Sequence, residues 1–372
     1  MSFHTCDASC TGFQDHMVNL AESDDGLNWS LVPNFLPYSG SVPDVIVRSS
    51  KLYVYTPGQV KRYDKATGWW DTNPVPVSIV DIAGNPISYF DPSAIIDSSG
   101  NIVLFFLNST GITGDPAGCN GNCPCTKYFE SAVEVNGSDG TQFVMQGGHR
   151  ASITLNNSPQ SASDPDIYFD GSDYILYISQ GQSVLACWSS TMHGSYQSFL
   201  IYPSNFLTNA GGIPCGNYDN ASAMYWTYIH ANVSGNTVIQ RQTHTDFSSA
   251  LANFTTVISG PLIGQPASTK TESPGFCTND LLNGVAENRL DKSVRIFPNP
   301  LKTISSVTIR NSKFNGLSCV LRIYNAFGSE VKSIVLESGS GELERGNLSG
   351  GMYFYKVESA KELIGVGKLI ID

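Results

Sequence analysis

The chain has 372 residues, 41% of them hydrophobic and 14% charged, with a formal net charge of -11 and a pI near 4.9. That is apolar material enough for a large core and a second domain. The acidic balance argues against a nucleic-acid partner, whose phosphates call for Lys and Arg, and no apolar run reaches the roughly 18 residues of a membrane span.

At the front, HMVNLAESDDGLNWSLV (16–32) reads as two outer strands joined by an Asp24-Asp25-Gly26 turn, with MSFHTC as their inner neighbour. Neither a basic n-region nor an apolar h-region follows Met1. Yet 9 cysteines suit an oxidising compartment. The expectation is a native start and a signal peptide upstream of Met1. The run CNGNCPC (119–125) reads as a disulfide-bridged loop. Thiolate metal binding is the alternative, but no nearby His or fourth Cys completes a tetrahedral set. Cys187 and Cys319 sit in apolar strand-like runs and are expected to be buried.

Three hairpins follow: SVPDVIVRSSKLYVY (41–55), FDPSAIIDSSGNIVLFF (90–106) and SDPDIYFDGSDYILYI (163–178). In each, a short polar step and a proline lead into an apolar strand, a polar turn and a second apolar strand. Each hairpin precedes a second pair of strand-like runs, at 58–70, 127–145 and 183–199. A fainter copy at 220–230 is followed by 236–258, and ESPGFC (272–277) repeats only the leading step. Four strands per unit of roughly 50 residues is the period of a β-propeller blade. ESPGFC is placed to supply the strand missing from the front, which closes a ring of five blades. A six-bladed or incomplete ring is the alternative. No helical periodicity of useful length appears before about residue 280, so residues 1–277 are expected to be all-β.

The acids sit at one kind of position. Asp44, Asp91, Asp164, Asp166 and Glu272 all lie at the start of a leading strand, which in a propeller is the mouth of the central channel. Crowded carboxylates raise one another's pKa and give one of them a protonated role near neutral pH. The other reading is structural: Asp at the start of a strand accepts backbone N–H bonds, as expected for Asp97 and Asp170. Ca2+ in the channel is a further candidate, since carboxylate oxygens suit it; no other cofactor is indicated. The six histidines show no paired spacing and read as surface or turn residues. Trp69, Trp70 and Trp226 are placed either to stack on sugars or to fill space between blades.

ESDDGLNW resembles the Asp-box turn of sialidase-like propellers, one residue short. With the repeated x-Pro-Asp hairpins, residues 1–277 resemble the superfamily of sialidases and family 43 glycoside hydrolases. In an Asp box, Ser23 and Asp25 satisfy the turn and Trp29 packs between blades. The family 43 pattern implies an Asp base, a second Asp that tunes the acid, and a Glu acid, which Asp44, Asp91 and Glu272 match in order. Asp44 follows its proline whereas Asp91 precedes it, and Glu272 lies on the last unit. The Arg triad of sialidases has no counterpart among Arg48, Arg62, Arg150 and Arg241.

The tail changes composition. Lys and Arg become common, and Val307/Ile309, Val320/Leu321/Ile323/Tyr324, Met352/Phe354/Lys356 and Leu369/Ile371 read as strands of a small antiparallel sandwich over 293–372. Pro298-Asn299-Pro300, the Ile323-Tyr324-Asn325 to Gly328 turn, Gly351-Met352-Tyr353 and Gly367-Lys368-Leu369 resemble the C-terminal sorting domain of type IX (Por) secretion. That resemblance implies export from a Bacteroidetes-type cell, with the secretion machinery as partner. Residues 278–292 read as the linker, with a short turn at ENRL. Two functions stand open: a glycan hydrolase using the channel-mouth carboxylates, or a non-catalytic surface binding or adhesion propeller. Substrate and oligomeric state are not legible.

Overall fold

Strands with alternating or wholly apolar runs, each closed by an Asp-, Gly- or Ser-rich turn, build the whole of the described chain. The computed structural model describes every residue except 8, 11, 66, 279–293, 310–317, 326–328 and 360–361. It divides into two compact units, Met1–Leu282 and Asn283–Asp372. The architecture is all-β; the helical turns among the described residues are two three-residue 3-10 segments. Beyond Thr278 the expected linker, its ENRL turn and the far end of the turn reaching Gly328 lie outside the described residues.

The first unit contains five sheets, antiparallel except where Ser78–Val80 pairs in parallel with Gln142–Met145, and each is led by one strand. The leading strands are Asp44–Arg48, Tyr89–Ile96, Ser163–Phe169, Gly212–Asp219 and Lys270–Gly275. In sheets one to four the next three strands follow in sequence order. Sheet two also gains Ser78–Val80, Pro86–Ile87 and Ala151–Leu155 around this set. In sheet five the leading strand comes from the far end of the unit and pairs with Ser2–Cys6, which pairs in turn with Met17–Glu22. The expected role of ESPGFC as partner of the first segment is thus met.

The fourth unit differs from the sequence reading. Its leading strand is Gly212–Asp219, and the segment at 220–230 is mostly the second strand, Met224–Val233. The leading proline, Pro214, has Ile213 and Cys215 beside it and no acid, so the proline-and-acid pattern does not mark it.

The leading strands pack on one another in succession, and Lys270–Gly275 also packs on Asp44–Arg48. The apolar side chains fill the spaces between consecutive sheets. Tyr53 and Phe106 lie between the first and second, Phe105 and Leu176 between the second and third. Tyr177 and Ile229 join the third and fourth, Phe3 and Tyr228 the fourth and fifth, and Val18 and Val54 the fifth and first. Each such fully buried side chain contributes about 1.5–3 kcal/mol, so no sheet is stable alone. At Gly216 the fit is tight: a Cβ would stand 2.1 Å from Tyr168 Cε1 and 2.7 Å from Tyr177 Cε2. Gly216→Ala should therefore cost about 1–3 kcal/mol. An unchanged denaturation midpoint would show that the rings move aside freely.

The second unit pairs Val294–Phe297, Ile304–Ile309 and Ser340–Glu344 in one sheet. Glu330–Leu336, Cys319–Tyr324, Gly351–Ser359 and Glu362–Ile371 form the other. Leu301, Val307, Cys319, Leu321, Ile323, Val357 and Leu369 form its core. The strand expected at Met352/Phe354/Lys356 is present as Gly351–Ser359; Met352 and Phe354 lie on its exposed face, while Tyr353, Tyr355 and Val357 face the core. Alternation gives the period of a strand but not its phase when both faces carry apolar residues.

Candidate functional site

The site is built by one backbone device used five times. Each leading strand carries or directly follows a residue–proline pair, and the residue before proline has a positive φ: Val42 46°, Asp91 53°, Asp164 48°, Ile213 44° and Ser273 55°. This left-handed region is costly for any side chain and rare for β-branched Val and Ile. In the second, third and fourth sheets the ladder register shifts across this pair. A bulge there re-aims side chains, and proline leaves no donor unpaired. The five pairs converge on one cavity, lined by Asp44, Asp91, Asp164, Asp166 and Ser273 beside the prolines.

Position relative to the proline sorts the acids into two sets, and the structure gives the two sets different partners. Asp91 and Asp164 precede their prolines, together with Val42, Ile213 and Ser273. Asp44 and Asp166 follow theirs, together with Ser93, Cys215 and Gly275. In the first three units the following residue ties its unit to the next. Asp44 Oδ2 accepts Ala94 N–H at 2.6 Å, Ser93 Oγ accepts Ile167 N–H at 3.1 Å, and Asp166 Oδ2 accepts Gly216 N–H at 2.7 Å. Every donor is the second residue after the next unit's proline. In the fifth unit this position is Gly275, where a Cβ would stand 2.6 Å from Asp44 Cα and from Pro43 O; the strands meet too closely for a side chain. In the preceding set, Asp91 Oδ2 accepts Asp164 N–H at 3.2 Å and Asp164 Oδ2 accepts the Ser163 hydroxyl at 2.6 Å.

All four aspartates are buried, at 6–8% exposure. Burial pushes Asp44 and Asp164 up to about 6. It pushes Asp91 and Asp166 well above the carboxylate range, helped by Asp164 beside Asp91 and Asp44 beside Asp166. The cavity measures about 20 Å³ for the centre of a water molecule, room for a single one.

Glu272 is not among the residues lining this cavity. It lies one residue further out, paired with His4 at 3.2 Å. His4 Nδ1 accepts Val42 N–H at 3.3 Å, so the ring donates Nε2–H to Glu272. Burial works to raise Glu272, but the bond to His4 and the surrounding imidazoles hold it down at about 2. His4 is 1% exposed and stacks on His16, ring centroids 4.0 Å apart. This corrects the surface-or-turn reading of His4: no spacing along the chain signals a contact made between its two ends. His4, His16 and Glu272 bring ligand atoms within 4.8 Å of one another, a donor set suited to a transition metal. His4, however, uses both ring nitrogens in hydrogen bonds and has no lone pair to offer. Cys6 and Cys10 also lie near His16, but they form a disulfide.

Other expected positions resolve as follows. Asp97 and Asp170 accept N–H bonds from their own turns. In the Asp-box segment Asp25 Oδ1 accepts Leu27 and Asn28 N–H, and Trp29 packs on Tyr228 and Phe276. Cys119 and Cys125 bridge the Cys-rich loop, and Cys187 and Cys319 are buried. Trp70 packs on Phe35 and Trp226 on Arg241, while Trp69 is 76% exposed. Arg48 and Arg62 pair with Glu134, Asp71 and Asp139, away from the cavity.

Residues 295–372 match the family described as secretion system C-terminal sorting domain. The tail is a type IX (Por) sorting domain. The protein is therefore exported by the type IX machinery to the cell surface or the extracellular space. No helix of the described residues is long and apolar enough to cross a membrane. Removing residues 293–372 should leave the protein inside the cell envelope; its appearance in culture medium would refute a sorting role.

No curated protein matches the chain. Among solved structures, the chain is similar to an α-L-arabinanase of Penicillium chrysogenum complexed with arabinobiose, at 14% identity and a TM-score of 0.43, covering 100% of this chain and 98% of that one. It is also similar to a GH43_1 enzyme of Xanthomonas citri complexed with xylose, at 15% identity and 0.41, covering 68% and 90%. A GH43_12 enzyme from a capybara gut metagenome stands at 13% and 0.39, covering 99% and 91%. Likeness at this level fixes neither the fold nor the activity of this chain.

Proposed function

We propose that the first unit is a closed five-bladed β-propeller displayed outside the cell as a non-catalytic binding module, followed by a linker at 278–292 and the sorting domain at 293–372. The succession of leading strands and the filled space between fifth and first sheets support closure. One observation carries the functional reading. The aspartates expected to be catalytic enclose room for one water, and two of them are committed to backbone N–H groups of the next sheet. A glycosidase needs two carboxyls flanking a bound sugar, and a sugar ring does not enter about 20 Å³. Extracellular glycans are the proposed ligand class, with exposed Trp69 as a stacking surface.

Glycan arrays and hydrolysis assays on plant and host polysaccharides test this together. Binding without release of reducing sugar is expected, with Trp69→Ala weakening it several-fold. Turnover that disappears in Asp164→Asn would overturn the reading.

A hydrolase remains the second reading because of one pair. Asp164 is raised to about 6, in part by Glu272, which is itself held near 2. Two carboxyls pushed apart in this way are the signature of an acid and its ionised partner. Activity lost in both Asp164→Asn and Glu272→Gln, with unchanged stability, would favour it.

A further inference from the structure

We propose that His149, held by Glu130 and Tyr128, is the contact point of a second ligand site, on sheet two, for the carboxylate of an acidic sugar such as a uronic acid. The strand Cys125–Glu134 changes its outer partner at mid-length. It pairs with Ala151–Leu155 as far as Phe129 and with Gln142–Met145 from Ala132 onward. The connecting stretch from Gln146 to Arg150 therefore crosses over Glu130. Gln146 N–H donates to Ser131 O and Arg150 N–H to Phe129 O, both at 2.8 Å, on either side of that residue. Gly148, at φ 76°, makes the turn. Arg150, 1% exposed, donates Nη2–H to Gly147 O and Gly148 O, so the loop is pinned before any ligand arrives.

On this loop the His149 side chain is 51% exposed and that of Glu130 only 4%, and the two meet at 2.6 Å. Ionised Glu130 can only accept, so the ring donates Nδ1–H. Nε2 is left without a hydrogen bond among the described residues. Tyr128, 41% exposed, stacks on the ring with centroids 4.1 Å apart. A second observation points to an anion. Arg150 keeps Nε and Nη1 without a partner although both are buried, and buried donors without partners mark a missing acceptor. The charged groups around the imidazole are Glu130 and Arg150; Tyr128 is the other titratable neighbour, and His193 lies beside Arg150. Burial pushes Glu130 above the ordinary carboxylate value, against the pull of His149, Arg150 and Asn108. Arg150 offsets Glu130, so protonation of His149 makes the cluster a net cation on a chain of charge -11. An imidazolium N–H gives a carboxylate a charge-assisted bond, and the Tyr128–His149 stack gives a sugar ring an aromatic surface. A carboxylated sugar satisfies both. The site lies at the same end of its sheet as the leading proline, since Phe90, Leu107 and Phe129 are successive cross-strand partners. Trp69 lies at the other end of sheet one, reached from Arg48 through Lys51 and Asp64, so the two contacts are separate. This inference rests on the glycan-binding reading and narrows its ligand.

Calorimetric titration of the full chain with oligogalacturonides and with their methyl esters tests this, because the two ligands differ at the carboxylate. The acid form should bind several-fold more tightly than the ester. That preference should fade as pH rises from about 5.5 to about 7.5, the range in which imidazoles lose their proton. His149→Gln, a change at a half-exposed side chain, should remove both the preference and its pH dependence, whereas Trp69→Ala should leave both. If His149→Gln fails to fold, the shift of the His149 ring signals when the acid form is added to the unaltered protein decides instead, and signals that stay put count against the site. Acid and ester bound alike would overturn the carboxylate site and leave the glycan reading standing. Neither form bound at any pH would also overturn it, while the glycan arrays judge the wider reading separately. A preference for the acid that survives His149→Gln, or that ignores pH, would overturn the role given to the imidazolium.

Discussion

Asp166→Ala lowers the stability of the first unit by about 2–4 kcal/mol, whereas Asp166→Asn leaves it unchanged or raises it. Asp166 is buried, and its Oδ2 accepts Gly216 N–H at 2.7 Å across the junction of the third and fourth sheets. Alanine strands that N–H in the interior and opens a small cavity. Asparagine keeps a carbonyl oxygen for Gly216 and removes a carboxyl whose ionisation is penalised by burial and by Asp44. Chemical denaturation monitored by aromatic fluorescence reads both. The contrast separates a tie between sheets from a catalytic acid, which either substitution would disable with little change in stability. Alanine tolerated within about 0.5 kcal/mol, the range of ordinary surface substitutions, would remove the proposed tie.

In chelator, stability falls as pH rises from 6 toward 8. The signs run in two directions. Asp44 and Asp164 are raised to about 6, and Asp91 and Asp166 further. A carboxyl raised by folding contributes stability that is complete below its unfolded value, about 3.9, and is lost as pH climbs through its folded value. His16, depressed by burial to about 4, and His193, His230 and His244, also depressed by burial, act oppositely: their contribution is present above about 6.5 and lost as pH falls through their folded values. Between about 4 and 6 the two effects offset each other. Above the histidine range the raised Asp91 and Asp166 outnumber the one group that opposes them, the buried Met1 ammonium depressed from 8.0, so the slope becomes negative. At the acid end Glu272, held near 2, loses its contribution as pH drops from about 4. Tm measured across pH in EDTA should peak near or below 6, and Asp166→Asn should flatten the alkaline fall. A Tm that is flat or rising between 6 and 8 contradicts the buried, unpaired state of these acids.

Local pattern decided much of this protein. The proline-led hairpins at 43, 92 and 165, the acids beside them and the short repeat at 274 mark the leading strands, because strand period, turn chemistry and missing proline N–H groups are properties of neighbouring residues. The sorting tail is equally local, since its motifs lie within one stretch of about eighty residues. The unit at Pro214 is fainter in the sequence because Ile213 and Cys215, on either side of the proline, are not acids.

Tertiary structure decided the rest. Whether such an acid faces the cavity or ties a neighbouring sheet depends on a left-handed residue and a one-residue bulge; the sequence places Asp91 before its proline and Asp44 after it, but not what either one meets. The meeting of His4 with Glu272 joins the two ends of the unit. The size of the axial space follows from how closely five strands approach. These quantities depend on distances between residues far apart in the chain, and sequence periodicity carries no information about such distances.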